Sequence, residues 1–240
     1  MYKNRLQNAK KYDRIIKQFW RDVRAVECAR LESGYALTGH RRFKSCSLRQ
    51  AKPKSNTRVF GLGFYFLMRK RSFMKWVYET NDDNSARFVL GQIFNDVGKT
   101  LLCFGINPST ACPMCIDNTI RKIISICANN GYDNWIMLNI YPQRATNPDS
   151  IHLQCDENLT AQNMLHIKSI VEKYTDSDVL LAYGNLITKR KYLKKCLDEI
   201  LNELVTKRDK KLKVIKITKK GNPVHPLYQP NSVRLCDYKI

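Results

Sequence analysis

Four apolar runs restrict what this chain can become. They are Thr100-Leu101-Leu102-Cys103-Phe104-Gly105-Ile106, Trp135-Ile136-Met137-Leu138-Asn139-Ile140, Val179-Leu180-Leu181-Ala182-Tyr183 and Leu212-Lys213-Val214-Ile215-Lys216-Ile217. Each reads as a buried strand, and the stretches between them have helical spacing. Asp117 or Asn118 caps a helix through Ile120, Ile124 and Ile126 that stops near Asn130-Gly131. Residues 157–173 place Leu159, Met164, Ile167 and Val171 on a second helix. A long cationic helix over 186–207 aligns Leu193, Leu197, Ile200, Leu201 and Leu204. Strand–helix alternation of this kind predicts an α/β fold: three layers, α/β/α, around a central four-stranded parallel sheet.

The first eighty residues follow another pattern. An amphipathic helix is predicted from Asn4 to about Leu31, then a basic, turn-rich stretch from His40 to Arg58. An aromatic strand or hairpin follows at Val59–Leu67, then Arg69-Lys70-Arg71 and Trp76-Val77-Tyr78. The Gly61-Leu62-Gly63 within it is a weak phosphate-loop signal, because no helix start succeeds it. The polar break Asn81–Ser85 divides the chain into a basic N-terminal extension, 1–84, and an α/β domain, 85–240.

Charge is divided in the same way. The whole chain carries 42 Lys+Arg against 21 Asp+Glu, and residues 1–80 alone hold 20 basic and 5 acidic side chains. A field of that sign draws polyanions, and nucleic acid fits it better than a membrane, for which no clean basic amphipathic helix speaks. Nine scattered cysteines, with neither a signal peptide nor a long apolar span, fit a cytoplasmic protein with reduced thiols. Cys112-Pro113-Met114-Cys115 is the one close pair: half a metal site, a redox pair, a thiol pair lining a loop, or coincidence. No second pair or histidine cluster completes zinc spacing, so no metal and no cofactor is expected.

In an open α/β sheet, ligands bind beyond the carboxyl ends of the strands. The four predicted strands end in Asn107 and Ser109, in Asn139 and Tyr141, in Tyr183 and Asn185, and in the loop to His225. Amides with one imidazole suit the edge of a nucleobase, because Asn offers donor and acceptor together. Taken singly, Asn107-Pro108 fits a turn starter, Asn139 a satisfied strand-end amide and His225-Pro226 a rigid loop.

Gly105-Ile106-Asn107-Pro108, a strand ending in Asn139, Tyr183-Gly184 and His225-Pro226 resemble the uracil-DNA glycosylase superfamily, most of all its mismatch-specific branch. More closely, the chain resembles an uncharacterised domain-of-unknown-function family. That pattern is matched by Asn107-Pro108-Ser109-Thr110-Ala111, Asp117-x-Thr119-Ile120-Arg121, Arg144-Ala145-Thr146-x-Pro148 and Gly221-x-Pro223-x-His225-Pro226-Leu227-Tyr228 over about residues 87–231. Ser109 stands where the mismatch branch has Gly. Leu227-Tyr228 replaces the Ser-Pro that grips DNA in the superfamily.

The resemblance implies a monofunctional DNA glycosylase acting, as a monomer, on a nucleotide flipped out of duplex DNA. His225 would stabilise the departing base and Asn107 would hold the attacking water. Asp117 would supply a stronger base or simply cap its helix. Ser109, Asn139, Tyr141, Tyr183 and Asn185 would surround the base. Arg121 and Arg144 would hold flanking phosphates or serve as ion-pair partners, while Tyr228, Arg69, Lys70 and Arg71 would contact DNA. The small stretch Ser109–Cys112 leaves room for an enlarged pyrimidine such as the glucosylated hydroxymethylcytosine of phage DNA, which implies a role in anti-phage defence. The alternatives are a non-catalytic base-binding module, an enzyme of free nucleosides or nucleotides, and a structural nucleic-acid-binding protein.

Overall fold

The computed structural model describes residues 74–230 and 232–240. The N-terminal helix and hairpin, with Arg69, Lys70 and Arg71, lie outside the described residues. Seven strands form one sheet: β1 (Lys75–Thr80), β2 (Arg87–Ile93), β3 (Thr100–Gly105), β4 (Asn134–Asn139), β5 (Ser177–Leu181), β6 (Leu212–Val214) and β7 (Cys236–Tyr238), in the order β1-β2-β4-β3-β5-β6-β7. The four predicted strands are its parallel centre, β4-β3-β5-β6.

The expectation of a four-stranded sheet is therefore corrected to seven strands. β1 and β2 pair antiparallel with each other, β2 pairs antiparallel with β4, and β7 does so with β6. Trp76-Val77-Tyr78, read with the extension, lies in edge strand β1. β2 begins on an arginine and contains Gly91 and Gln92, which masked its strand character. Its Gly91 lets the backbone lie close to β4: a Cβ there would meet Ile136 Cγ1 and the Trp135 carbonyl, both at 2.9 Å.

Helices α1 (Asn118–Asn130), α2 (Glu157–Lys173) and α3 (Lys191–Leu201) connect the parallel strands. Asp117 caps α1, accepting the Ile120 N–H at 2.8 Å, and Gly131 ends it in the left-handed region. Asp156 caps α2 in the same way. The long helix expected over 186–207 is broken. A 3-10 turn occupies Gly184–Thr188, Arg190 is extended, and only then does α3 begin, running on into a wider turn at Asn202–Thr206. The last parallel strand is also shorter than expected, because the chain folds back after Ile215.

Strand alternation distributes the core. Leu102, Phe104, Ile136, Leu138, Val179, Leu181 and Tyr183 pack with α2 and α3. Leu101, Cys103, Trp135 and Met137 take the other face, where Cys103 meets Cys127 of α1.

Gly91→Ala tests this arrangement. The new methyl faces a backbone carbonyl that cannot swing aside, so the variant should lose about 1–3 kcal/mol in urea unfolding. An unchanged midpoint would contradict the close β2–β4 approach.

Candidate functional site

The parallel register sets the carboxyl ends of β3, β4 and β5 nearly level. Gly105 pairs with Asn139, Phe104 pairs with Leu181, and the Ala182 N–H still donates to Phe104 O at 2.9 Å. The chain leaves β3 through α1 towards β4, and leaves β5 through α3 towards β6 on the other side. The gap between the ends of β3 and β5 is thus a topological switch point, where an open α/β sheet forms a crevice.

Asn139 stands at this edge, fully buried, on the α1 face beside Gly105. A Cβ on Gly105 would lie 3.2 Å from Asn139 Oδ1, so the glycine makes room for the amide. Among the described residues neither Nδ2 nor Oδ1 of Asn139 has a hydrogen-bond partner. Asn134, at the opposite end of the same strand, shows what this chain does with a structural amide. Its Oδ1 accepts from Phe94 N (2.8 Å) and Asn95 N (3.1 Å), and its Nδ2 donates to Asn95 O, Gly98 O and Thr100 Oγ1. An unpartnered buried polar group costs about 1–3 kcal/mol, and Asn139 holds two.

Asn107, half-buried after β3, is oriented by the loop behind it. Its Nδ2 donates to Ala145 O (2.8 Å) and Pro108 O (3.1 Å), which leaves Oδ1 as the free end of the amide. Ser109 Oγ pairs with Thr146 Oγ1 at 3.1 Å. Arg144, expected at a phosphate or an ion pair, clasps this loop instead: Nη1 donates to Ser109 O at 2.6 Å and Nη2 to Tyr78 Oη at 2.7 Å.

His225 packs against Gly184 at the end of β5, where a Cβ on the glycine would lie 3.2 Å from His225 Cβ. Its Nδ1 accepts the Leu227 N–H at 3.2 Å, which assigns the ring proton to Nε2. Burial lowers its pKa below the ordinary 6.5, and the nearby Asp117 carboxylate opposes that shift. Asp117 thus reaches the site as a charge while Oδ1 serves as the helix cap, the second of the two roles expected for it.

Other expected residues lie elsewhere. Tyr141 and Tyr183 are buried in the α2–α3 layer. The Tyr141 hydroxyl bonds to His152 Nδ1 at 2.8 Å and accepts the Asp156 N–H at 3.2 Å, so its ring faces away from Asn139. Burial raises both phenols to about 12. Asn185 spends its Oδ1 on Thr218 and Asn222. Arg121 donates to Asn118 Oδ1 at 2.8 Å, and Tyr228 is exposed just beyond His225.

Arg87 has no counterpart in the sequence reading. It is 2% exposed, donates to Ala111 O at 2.9 Å beside Arg144, and has an unpartnered Nε among the described residues. Burial first, then Arg144, lowers its pKa to about 10, with Asp117 opposing. Its only sequence signal was its position at the start of an unrecognised strand. Cys112 and Cys115 face each other across a tight turn closed by reciprocal backbone bonds of 3.0 and 3.1 Å. Among the described residues no three His, Cys, Asp or Glu side chains gather as metal ligands.

A family model described as "Protein of unknown function (DUF1643)" matches residues 87–227. The chain belongs to this family. The matched span runs from the first residue of β2 to just past His225, so it contains Asn107, Asp117, Asn139 and His225 together. No curated protein and no solved structure matches the chain. No helix among the described residues is long and apolar enough to cross a membrane.

The neutral state of His225 has a consequence for stability. Below its ordinary pKa of 6.5 the unfolded chain binds a proton that the folded chain resists, so this residue makes stability fall as pH falls. Urea midpoints at about pH 7 and about pH 5 should therefore differ more in the wild type than in His225→Gln. Equal pH sensitivity would show that the folded imidazole is not held neutral.

Proposed function

We propose that this cleft belongs to a DNA glycosylase, which hydrolyses the N-glycosidic bond of a flipped-out, enlarged pyrimidine and leaves an abasic site. The buried, unpartnered Asn139 amide carries the reading. A donor and an acceptor side by side beneath the switch point match a nucleobase edge, and pairing with one would satisfy both atoms at once.

The neighbouring groups support the two tasks such a reaction sets. As the C1′–N bond breaks, its electron pair leaves with the base and positive charge develops on the sugar. His225 Nε2–H, held as a neutral donor, stabilises the negative charge on a base oxygen. Asn107 Oδ1 accepts a hydrogen bond from a water whose oxygen bonds to C1′; one water proton passes to solvent and the base is protonated on release. An amide is a weak base, so the bond must be largely broken before the water attacks. The small Ser109–Cys112 stretch and the chain's net +21 fit an enlarged base in a polyanionic substrate. The anti-phage role belongs to this reading, with glucosylated hydroxymethylcytosine as the candidate base.

One observation favours a binding module instead: Asp117, the nearest carboxylate, has one oxygen committed to capping α1. Turnover separates the two readings. DNAs containing unmodified bases, uracil, or hydroxymethylated and glucosylated cytosine should be incubated with the full chain and then treated with alkali. Strand cleavage confined to one modified DNA, reduced about 10²–10³-fold by Asn107→Ala and by His225→Ala, is the expected result. Binding without cleavage, weakened in Asn139→Ala, would establish the module. Equal cleavage of plain uracil would overturn the enlarged-base substrate.

A further inference from the structure

The segment that delivers His225 is fastened more firmly than a connection requires. After β6 the chain doubles back in a hairpin over 216–224. The Val224 N–H donates to Lys216 O at 3.0 Å, Thr218 N–H to Asn222 O at 2.8 Å, and Gly221 N–H to Thr218 O at 2.9 Å. Gly221 takes a left-handed φ of 80°, which closes the tip. Thr218 Oγ1 donates to Asn185 Oδ1 at 2.9 Å, and Asn222 Nδ2 reaches the same oxygen at 3.0 Å. The Gly184 N–H donates to Pro223 O at 2.9 Å, which ties the returning leg to the end of β5.

This braced hairpin presents Lys219 and Lys220 at its tip, both exposed. Lys213, on β6 before the hairpin, meets Asp237, whereas Lys216 on the outgoing leg is exposed and, among the described residues, has no ion pair. Among the described residues no carboxylate forms an ion pair with Lys219 or Lys220. The tip of the hairpin therefore holds two uncompensated ammonium groups, five and six residues ahead of the His225 imidazole.

We propose that the Lys219–Lys220 tip is a phosphate grip that holds the DNA backbone beside the nucleotide entering the His225 cleft. This rests on the reading of DNA as the substrate. Lysine ammonium groups are compact point charges that contact phosphate without reading sequence, and such contacts set the register of a nucleic acid on a protein. Base recognition stays with Asn139 and His225, while the hairpin fixes where the backbone runs. Asn185, expected to touch the base, acts here as a brace.

Salt dependence tests this directly. Each phosphate contact contributes a slope of about −0.9 to log K against log salt on duplex DNA. Anisotropy titrations of the full chain against a labelled duplex oligonucleotide should give a slope about 1.8 units shallower in K219Q/K220Q than in the wild type, with an unchanged thermal midpoint. The control is K211Q. Lys211 is exposed at the opposite end of β6, so its loss should leave the slope where it was. A double variant with wild-type slope would overturn the grip while leaving DNA as the substrate. An equal flattening in K211Q would overturn it too, by showing diffuse attraction rather than a defined contact. A wild type with no salt-dependent affinity for duplex DNA would overturn the substrate reading itself.

Discussion

Strand β3 is the element on which the rest of the molecule is registered. Its residues Thr100–Gly105 pair in parallel with Asn134–Asn139 on one side, and Thr100–Phe104 pair with Ser177–Leu181 on the other. That double pairing brings Gly105, Asn139 and the Tyr183-Gly184 turn to one rim. Because the connections from β3 and β5 leave in opposite directions, nothing from the sheet's own crossovers fills the gap between them. The antiparallel additions at the edges lengthen the sheet without touching that gap. A slip of one residue in β3 would turn Gly105 to the other face and set a side chain of β3 against Asn139, which ties the candidate site to the packing of the core.

Two asparagines on β4 show how differently one side chain is treated at the two ends of a strand. Asn134 uses its amide to bind the 94–100 turn, while Asn139 is sealed in with neither atom paired. Asn163 reaches across from α2 to the Asn139 carbonyl at 2.9 Å, so the backbone is satisfied while the side chain is not. Arg87 and Arg144 repeat the theme beneath the neighbouring loop: two cations meet at the Ala111 carbonyl with no carboxylate bridging them. Buried polarity of this kind lowers stability; Trp135 Nε1, towards the opposite end of β4, is a further unpartnered atom among the described residues. Prediction from packing alone would have replaced these side chains with apolar ones.

Much of this was legible in the chain itself. The parallel centre follows from four apolar runs, and α1 and α2 begin and end where Asp117, Gly131 and residues 157–173 imply. What escaped detection was non-local. β2 is a strand because β4 lies against it, and its Gly91 and Gln92 read as weak until that neighbour is known. The break ahead of α3 comes from extended backbone at Arg190, on a stretch whose leucine stripe continues undisturbed. Tyr183 follows Val179 and Leu181 towards α2 and α3 by period-two alternation, whereas Tyr141 lies two residues beyond the end of β4, where the chain has bent and the alternation no longer sets its side. Arg144 carries a charge, and its geometry shows that charge spent on carbonyl oxygens.

The polarity of Asn107 and His225 is set by backbone rather than by other side chains. Carbonyls of residues 108 and 145 take up Asn107 Nδ2 and leave its oxygen outward; the Leu227 N–H occupies His225 Nδ1 and leaves an N–H outward. Asn107 is therefore left with an acceptor and His225 with a donor, while Asn139 keeps both of its groups unpaired beneath the rim. A surface meant only to attract polyanions would present cations here. Here Asn107 and His225 are neutral, directional groups, and Arg87 and Arg144 are turned onto the carbonyls of the neighbouring loop. In a nucleic-acid-binding protein, charge supplies attraction without discrimination and neutral, directional hydrogen bonds supply the discrimination. On the reading proposed above, Asn107, Asn139 and His225 would discriminate the base, and backbone contact would fall to basic side chains such as Lys219 and Lys220.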